Sequence, residues 1–138
     1  MNEEIMSEVT SLEGATAAEV AKVIAEVLDA KKGRDVKIIH VEEKTVIAEY
    51  FVLCTGNSST QVKSLGGEVE YKLGLREVDP LHYEGRDNNG WVVIDYSSVI
   101  VHIFNRENRD FYKLDKLYGD AEEIKFVSID ERASNGEL

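Results

Sequence analysis

Tyr50-Phe51-Val52-Leu53-Cys54-Thr55-Gly56-Asn57-Ser58-Ser59 runs from an unbroken apolar stretch, through one glycine, into two serines. An apolar run without polar alternation marks a strand covered on both faces. The glycine and serines mark a tight turn into a capped helix. That strand–turn–helix unit predicts an α/β protein, and the rest of the chain fits around it. Upstream, residues 15–32 read as a helix. Thr16 with Glu19 forms a capping box, and Val20, Val23, Ile24, Val27 and Leu28 make one stripe at 3.6-residue spacing. Lys31 and Lys32 suit its negative carboxyl end, and Gly33 reads as its stop. Val36–Val41 reads as a strand and Thr45–Ala48 as a turn.

Downstream, the helix capped by Ser58 and Gln61 runs to about Leu73, with Val62, Leu65, Val69 and Leu73 inward and Gly74 as its end. After Pro80 comes a short strand, Leu81–Glu84, then the turn signal Asn88-Asn89-Gly90. Trp91–Ile94 and Val99–Phe104 read as strands joined by the hairpin-length Asp95-Tyr96-Ser97-Ser98. A last helix is predicted from about Asn105 to Tyr118, with Phe111, Leu114 and Leu117 or Tyr118 inward and Gly119 beyond it. Residues 124–129 alternate weakly and predict an edge strand. The order α-β-β-α-β-β-β-α, with two strands apolar in both registers, predicts a mixed sheet with helices on both faces.

The chain has 138 residues, the size of one domain. Its 27 acidic and 16 basic residues leave a net charge of −11. The ends hold most of it: residues 1–14 carry four Glu and no Lys or Arg, and residues 119–138 carry six acids and two bases. Such a chain is a poor general binder of nucleic acid, whose affinity comes from Lys and Arg on phosphates. A basic protein partner suits it better. The domain organisation expected is an acidic N-terminal extension over 1–14, one domain over 15–121 and an acidic C-terminal tail over 122–138. A single cysteine, Cys54, excludes an intramolecular disulfide framework. No run of 18 apolar residues is present, and the opening Met-Asn-Glu-Glu-Ile-Met has no basic start, so the expected address is the cytoplasm.

Catalytic chemistry finds little support. The Gly56 loop offers backbone N–H groups at a helix start, where a phosphate can sit, but it lacks the lysine and spacing of a P-loop. A nucleotidyltransferase uses a Gly-Ser loop with two carboxylates one residue apart. Gly56 and Ser58 with Glu68 and Glu70 imitate that pattern, yet Glu68 and Glu70 fall within a predicted helix, where i and i+2 diverge by about 200°. Cys54 ends a buried strand and reads as a small buried thiol. His40, His82 and His102 show no metal-ligand spacing, and no metal or cofactor is expected. His102 reads as a structural histidine able to reach a carboxylate such as Asp95.

The segment 91–118 concentrates Trp91, Tyr96, Phe104, Phe111, Tyr112 and Tyr118, with Arg106 and Arg109 beside them. Aromatics and arginine are the residue types that anchor interfaces. Trp91, Tyr96 and Tyr112 are therefore expected as partner-facing anchors near one rim of the sheet, with Asp95, Ser97, Ser98 and Arg109 around them. Two classes of function stand at this point: a binding module, and an enzyme using the Gly56 loop on a nucleotide.

Three blocks of the chain resemble the ribosomal silencing factor family, also called RsfS or Iojap. The first is Tyr50-Phe51-Val52-Leu53-Cys54-Thr55-Gly56-Asn57-Ser58-Ser59-Thr60-Gln61-Val62. The second joins Glu84-Gly85 to Trp91–Tyr96 and Val99–Phe104; the third is Arg109, Tyr112, Leu114, Leu117 and Gly119-Asp120-Ala121. Glu49, Ser97-Ser98, Asp115 and Tyr118 stand where that family usually has Asp, Gly-Asp, Glu and Trp. The resemblance implies a fold related to nucleotidyltransferases without their activity. It implies binding to the large ribosomal subunit through its ribosomal protein numbered fourteen, a steric block to joining the small subunit, and reduced translation. It also implies a link to large-subunit maturation; the acidic charge balance, separately, predicts little direct contact with nucleic acid. Some members of the family are homodimers.

Overall fold

The computed structural model describes residues 10–87 and 90–126. In chain order these form α1 (Ala17–Ala30), β1 (Arg34–His40), β2 (Tyr50–Gly56), α2 (Ser59–Leu75), β3 (His82–Glu84), β4 (Trp91–Asp95), β5 (Val99–Asn105), α3 (Arg106–Tyr112), α4 (Leu114–Leu117) and β6 (Glu122–Ile124). The six strands make one mixed sheet in the order β3-β4-β5-β2-β1-β6. β2 and β5 are parallel at its centre, with Phe51 opposite Ile100 and Thr55 opposite Phe104. The other four pairings are antiparallel. The α/β class and the mixed sheet are as the sequence predicts.

Both long helices pack on one face of the sheet. Thr16 Oγ1 accepts from the Glu19 backbone N–H, and Ser58 Oγ accepts from that of Gln61, so both expected caps form. Ile24, Leu28, Leu65, Val69 and Leu73 close over Val52, Val101 and Ile103, all buried. Each such side chain contributes roughly 1.5–3 kcal/mol by leaving water. The helix ends differ from expectation in one respect. Lys32 (φ 72°) and Glu77 (φ 67°), not the neighbouring Gly33 and Gly74, take the left-handed conformation that turns the chain. Gly33 is needed for closeness instead: a Cβ there would run into Cys54 Sγ and lie 2.9 Å from the Leu28 carbonyl oxygen. α2 accordingly continues past Gly74 to Leu75.

On the opposite face, Ile39, Val41, Phe51, Leu53, Ile100 and Phe104 form a second core. Leu114 and Tyr118 cover part of it. The predicted single helix Asn105–Tyr118 is broken into α3 and α4 at Lys113 (φ 50°), in the left-handed region. The break has a physical reason. It turns Asp115 back onto Arg109, whose Nε and Nη2 donate to the two Asp115 carboxylate oxygens at 3.1 and 2.7 Å. A straight helix would place residues 109 and 115 on different sides, about 240° apart.

The folded body reaches beyond the expected 15–121 at both ends. Leu12 is buried in the first core, its backbone N–H donates to the Arg76 carbonyl at 2.8 Å, and Arg76 Nε donates to the Thr10 carbonyl. The expected edge strand is present but earlier than predicted: Glu122–Ile124 pairs antiparallel with β1. The rest of the acidic extension and tail, the Asn88-Asn89 half of the turn signal and the Phe111 side chain lie outside the described residues.

Candidate functional site

The second face of the sheet is open over β4. There the strand's alternation places Trp91, Val93 and Asp95 on the side away from α1 and α2, all half-buried, while Val92 and Ile94 are buried beneath the helices. The neighbouring strand supplies Ile100, His102 and Phe104 to the same face, because Trp91 lies opposite Phe104 and Val93 opposite His102. The result is a continuous aromatic surface. Trp91 and Tyr112 meet at 4.3 Å between ring centroids, and Trp91 stacks on Phe104 at 5.7 Å. Phe51 joins edge-on to His102 and to Tyr118, each at 5.1 Å. Tilted and edge-on pairs of this kind each add roughly 0.5–1.5 kcal/mol beyond area burial. Tyr112 is the outermost ring, 46% exposed.

His102 is tied into this surface. Trp91 Nε1 donates to His102 Nδ1 at 3.4 Å. Burial pulls the imidazole down to about 4, so it is neutral at pH 7 and free to accept that hydrogen bond. The expected partner, Asp95, is elsewhere. Its Oδ1 accepts from the Ser97 backbone N–H at 2.7 Å and thereby holds the hairpin turn, in which Ser97 has φ 74°. Ser97 is exposed. The Ser98 carbonyl accepts from the backbone N–H groups of Glu49 and Tyr50 at 2.8 and 3.1 Å.

The seven residues expected at one rim are therefore divided. Trp91 and Tyr112 meet on the open face. Asp95, Ser97 and Ser98 lie at the other end of β4, about 13 Å away at 3.3 Å per residue. Tyr96 faces the opposite side: it is 8% exposed, within the core under the helices, and burial pushes its phenol up. Its hydroxyl has no hydrogen-bond partner among the described residues. Arg109 is 6% exposed. Beyond Asp115, its Nη1 donates to the Asp35 carbonyl at 2.7 Å and to Thr55 Oγ1 at 2.9 Å. Tyr96 and Arg109 thus hold the fold together. Val93 and His102 lie on the same open face, beyond the seven residues expected there. The signal for them was the two-residue period of β4 and β5, read across both strands.

The Gly56 loop is closed. A Cβ on Gly56 would lie 2.8 Å from a Val62 methyl, the Asn57 backbone N–H is taken by Gln61 Oε1, and Ser58 Oγ caps α2. The side-chain amide of Gln61 also donates to the Lys32 carbonyl at 3.3 Å. Glu70 pairs with Arg86 at 2.6 Å. Burial lifts the Cys54 thiol to about 12, which leaves it protonated and unreactive.

The chain thus combines a mixed sheet with one face under two long helices, an aromatic surface on the other face, and a tightly packed glycine turn. The sequence model of the family described as ribosomal silencing factor during starvation matches residues 14–137, and the chain belongs to that family. The ribosomal silencing factor RsfS of Bacillus subtilis is 33% identical over 102 residues, 74% of this chain and 86% of that protein. A crystal structure of a Chromobacterium violaceum protein superimposes with a TM-score of 0.73 at 31% identity, covering 80% of this chain and 92% of the other. A mouse protein named for mitochondrial assembly of the ribosomal large subunit is 26% identical over 102 residues, 70% of this chain and 43% of its own length. Among the described residues no helix is long and apolar enough to cross a membrane.

Proposed function

We propose that this chain binds the large ribosomal subunit in the cytoplasm with its open aromatic face, through the ribosomal protein numbered fourteen, and blocks joining of the small subunit by occupying that surface. The observation that carries this reading is the half-buried Trp91 beneath the exposed Tyr112, their tilted rings 4.3 Å apart on the face of the sheet opposite α1 and α2. Large rings with polar tips exclude water at an interface while keeping their hydrogen bonds. A net charge of −11 favours a basic protein partner over bare RNA. Trp91 and Tyr112 act as anchors. Asp95, Ser97 and Ser98 supply a polar rim about 13 Å away, well within a footprint of roughly 800 Å². Tyr96 and Arg109 support the surface from inside. The mouse relative's name, with its large ribosomal subunit, supports the choice of subunit.

Sedimentation with purified large and small subunits tests the reading directly. The protein is expected to travel with large subunits alone. Tyr112→Ala is expected to weaken this binding about 30-fold, the effect of roughly 2 kcal/mol lost at one anchor, with melting within a few degrees of wild type. Unchanged binding by both Tyr112→Ala and Trp91→Ala would remove the aromatic face from the interface.

The same assay defines the chain that is needed. A fragment spanning 10–126 is expected to fold and bind as the whole chain does. Cutting further, to 14–122, removes buried Leu12 and most of β6 and is expected to lower stability by about 2 kcal/mol or more. Loss of binding by a stably folded 10–126 would give the acidic ends a direct role.

A further inference from the structure

At the carboxyl ends of the two parallel strands the chain leaves toward opposite faces. β2 leads into α2 on the helical face, and β5 leads into α3, whose last residue, Tyr112, lies on the open face. In open α/β sheets the crevice at such a divergence is where ligands bind. At the same end of the sheet, beside that divergence, lies a cleft of about 800 Å³, walled by the start of β1 on one side and by α3 and α4 on the other. That is within the size range of small-molecule sites.

The lining is unusual for so acidic a chain. Six cations, Arg34, Lys37, Arg106, Arg109, Lys113 and Lys116, face five carboxylates. Two of those carboxylates are already neutralised. Arg106 pairs with Asp35. Asp115 is held by Arg109 at 2.7 Å and by Lys37 at 3.1 Å. Lys37 also reaches Glu123, at 3.9 Å. The remaining carboxylates are Asp29, which has a partner of its own, and Asp110. Arg34, Lys113 and Lys116 are exposed and make no ion pair among the described residues. Two walls of the cleft are shaped by left-handed residues, Asp35 (φ 49°) at a register shift in β1 and Lys113 (φ 50°) at the helix break. Backbone of this kind clusters at binding sites, where it aims side chains.

We propose that this cleft binds adjacent phosphate groups, with Arg34, Lys113 and Lys116 as the cations that meet them. Three cations with no ion pair among the described residues, at the rim of a polar cleft, match several phosphates better than one carboxylate, and arginine adds its planar fork. Two sources share this chemistry: a free phosphorylated compound, and the phosphodiester backbone of ribosomal RNA beside the protein contact. The second source rests on the subunit-binding reading above and fits the geometry, since Lys113 follows Tyr112 directly and Lys116 precedes the exposed Leu117.

The test compares wild type with Arg34→Gln/Lys113→Gln/Lys116→Gln. Calorimetric titration with tripolyphosphate at low salt forms one arm. The salt dependence of large-subunit binding forms the other. Loss of tripolyphosphate binding in the triple variant, with an unchanged salt slope, assigns a free phosphorylated compound. A fall of about 2 in the slope of log K against log salt assigns the RNA backbone, since each phosphate contact contributes roughly 0.7–0.9. Both changes together also support the site. If neither arm distinguishes the variant from wild type, the proposal is wrong. Should wild type fail to bind large subunits at all, the subunit reading falls while the tripolyphosphate arm still decides this one. Lys116→Gln alone, at an exposed position on α4, serves if the triple variant does not fold, and is expected to lower the slope by about 0.7–0.9 or to weaken tripolyphosphate binding several-fold.

Discussion

Replacing Arg109 with Met is expected to lower the melting temperature by about 10 °C. The guanidinium is almost wholly buried and makes four hydrogen bonds, to Asp35, Thr55 and both oxygens of Asp115. It joins β1, β2, α3 and α4, and the break at Lys113 exists to complete it. Its loss leaves the Asp35 carbonyl and the Thr55 hydroxyl without their buried donor and the partly exposed Asp115 carboxylate with Lys37 alone, which together costs about 3 kcal/mol. For a domain of this size each kcal/mol corresponds to roughly 3–4 °C. The Asp115 carboxyl, held down at about 2 chiefly by the Arg109 hydrogen bonds, climbs back toward the ordinary carboxylate range in the variant. Arg109→Lys recovers only part of the loss, because an ammonium has no fork to match the carboxylate. Differential scanning calorimetry of the three proteins checks this; a drop below about 3 °C for Arg109→Met would show that Arg109 is not central to the fold.

Acid should weaken the fold through His102. Folded, its imidazole has been pulled by burial down to about 4; unfolded, it titrates near 6.5. Between those values the unfolded chain takes up a proton that the folded one refuses. The contribution is therefore complete above pH 6.5 and is lost as pH falls from there to about 4. The whole gap corresponds to on the order of 3 kcal/mol, an upper figure because His102 is only half-buried. His102→Gln keeps an acceptor for the Trp91 indole and removes the titration. Urea unfolding at pH 7.5 and 4.5 should show a smaller loss of stability for His102→Gln than for wild type. Equal losses would place the acid sensitivity elsewhere. Asp115 does not confuse the comparison, since a carboxyl held at about 2 loses its contribution only below about pH 4. His40 works in the opposite direction. Glu42 and Glu122 raise it, so what it adds is present at low pH and fades as pH rises through its folded value.

The elements that were legible in the sequence are those whose patterns are local. The caps at Thr16 and Ser58, the apolar stripes and the unbroken Tyr50–Cys54 run each state their structure within a few residues. The site was legible in composition but not in arrangement. Trp91 and Tyr96 are both aromatic, near each other in sequence and next to the same hairpin. An odd separation along the extended chain, however, sends them to opposite faces, one to the open surface and one into the core under the helices. Arg109 looks like an interface residue because an arginine near aromatics usually is one. Its burial depends on Asp115, and that depends on Lys113 leaving the helix, for which no glycine or proline gives notice.

The sheet's ends carry a last consequence. A long exposed strand edge invites another chain to pair with it, which is one route to misassembly. Here the outermost strands, β3 and β6, have three residues each, and each carries at least one glutamate: His82-Tyr83-Glu84 and Glu122-Glu123-Ile124. β6 also shields the hydrogen-bonding edge of β1, with Ile38 opposite Ile124 and His40 opposite Glu122. Among the described residues, two copies of this chain meeting edge to edge therefore have little ladder to extend, which favours contact through side chains on a face over main chain at a rim.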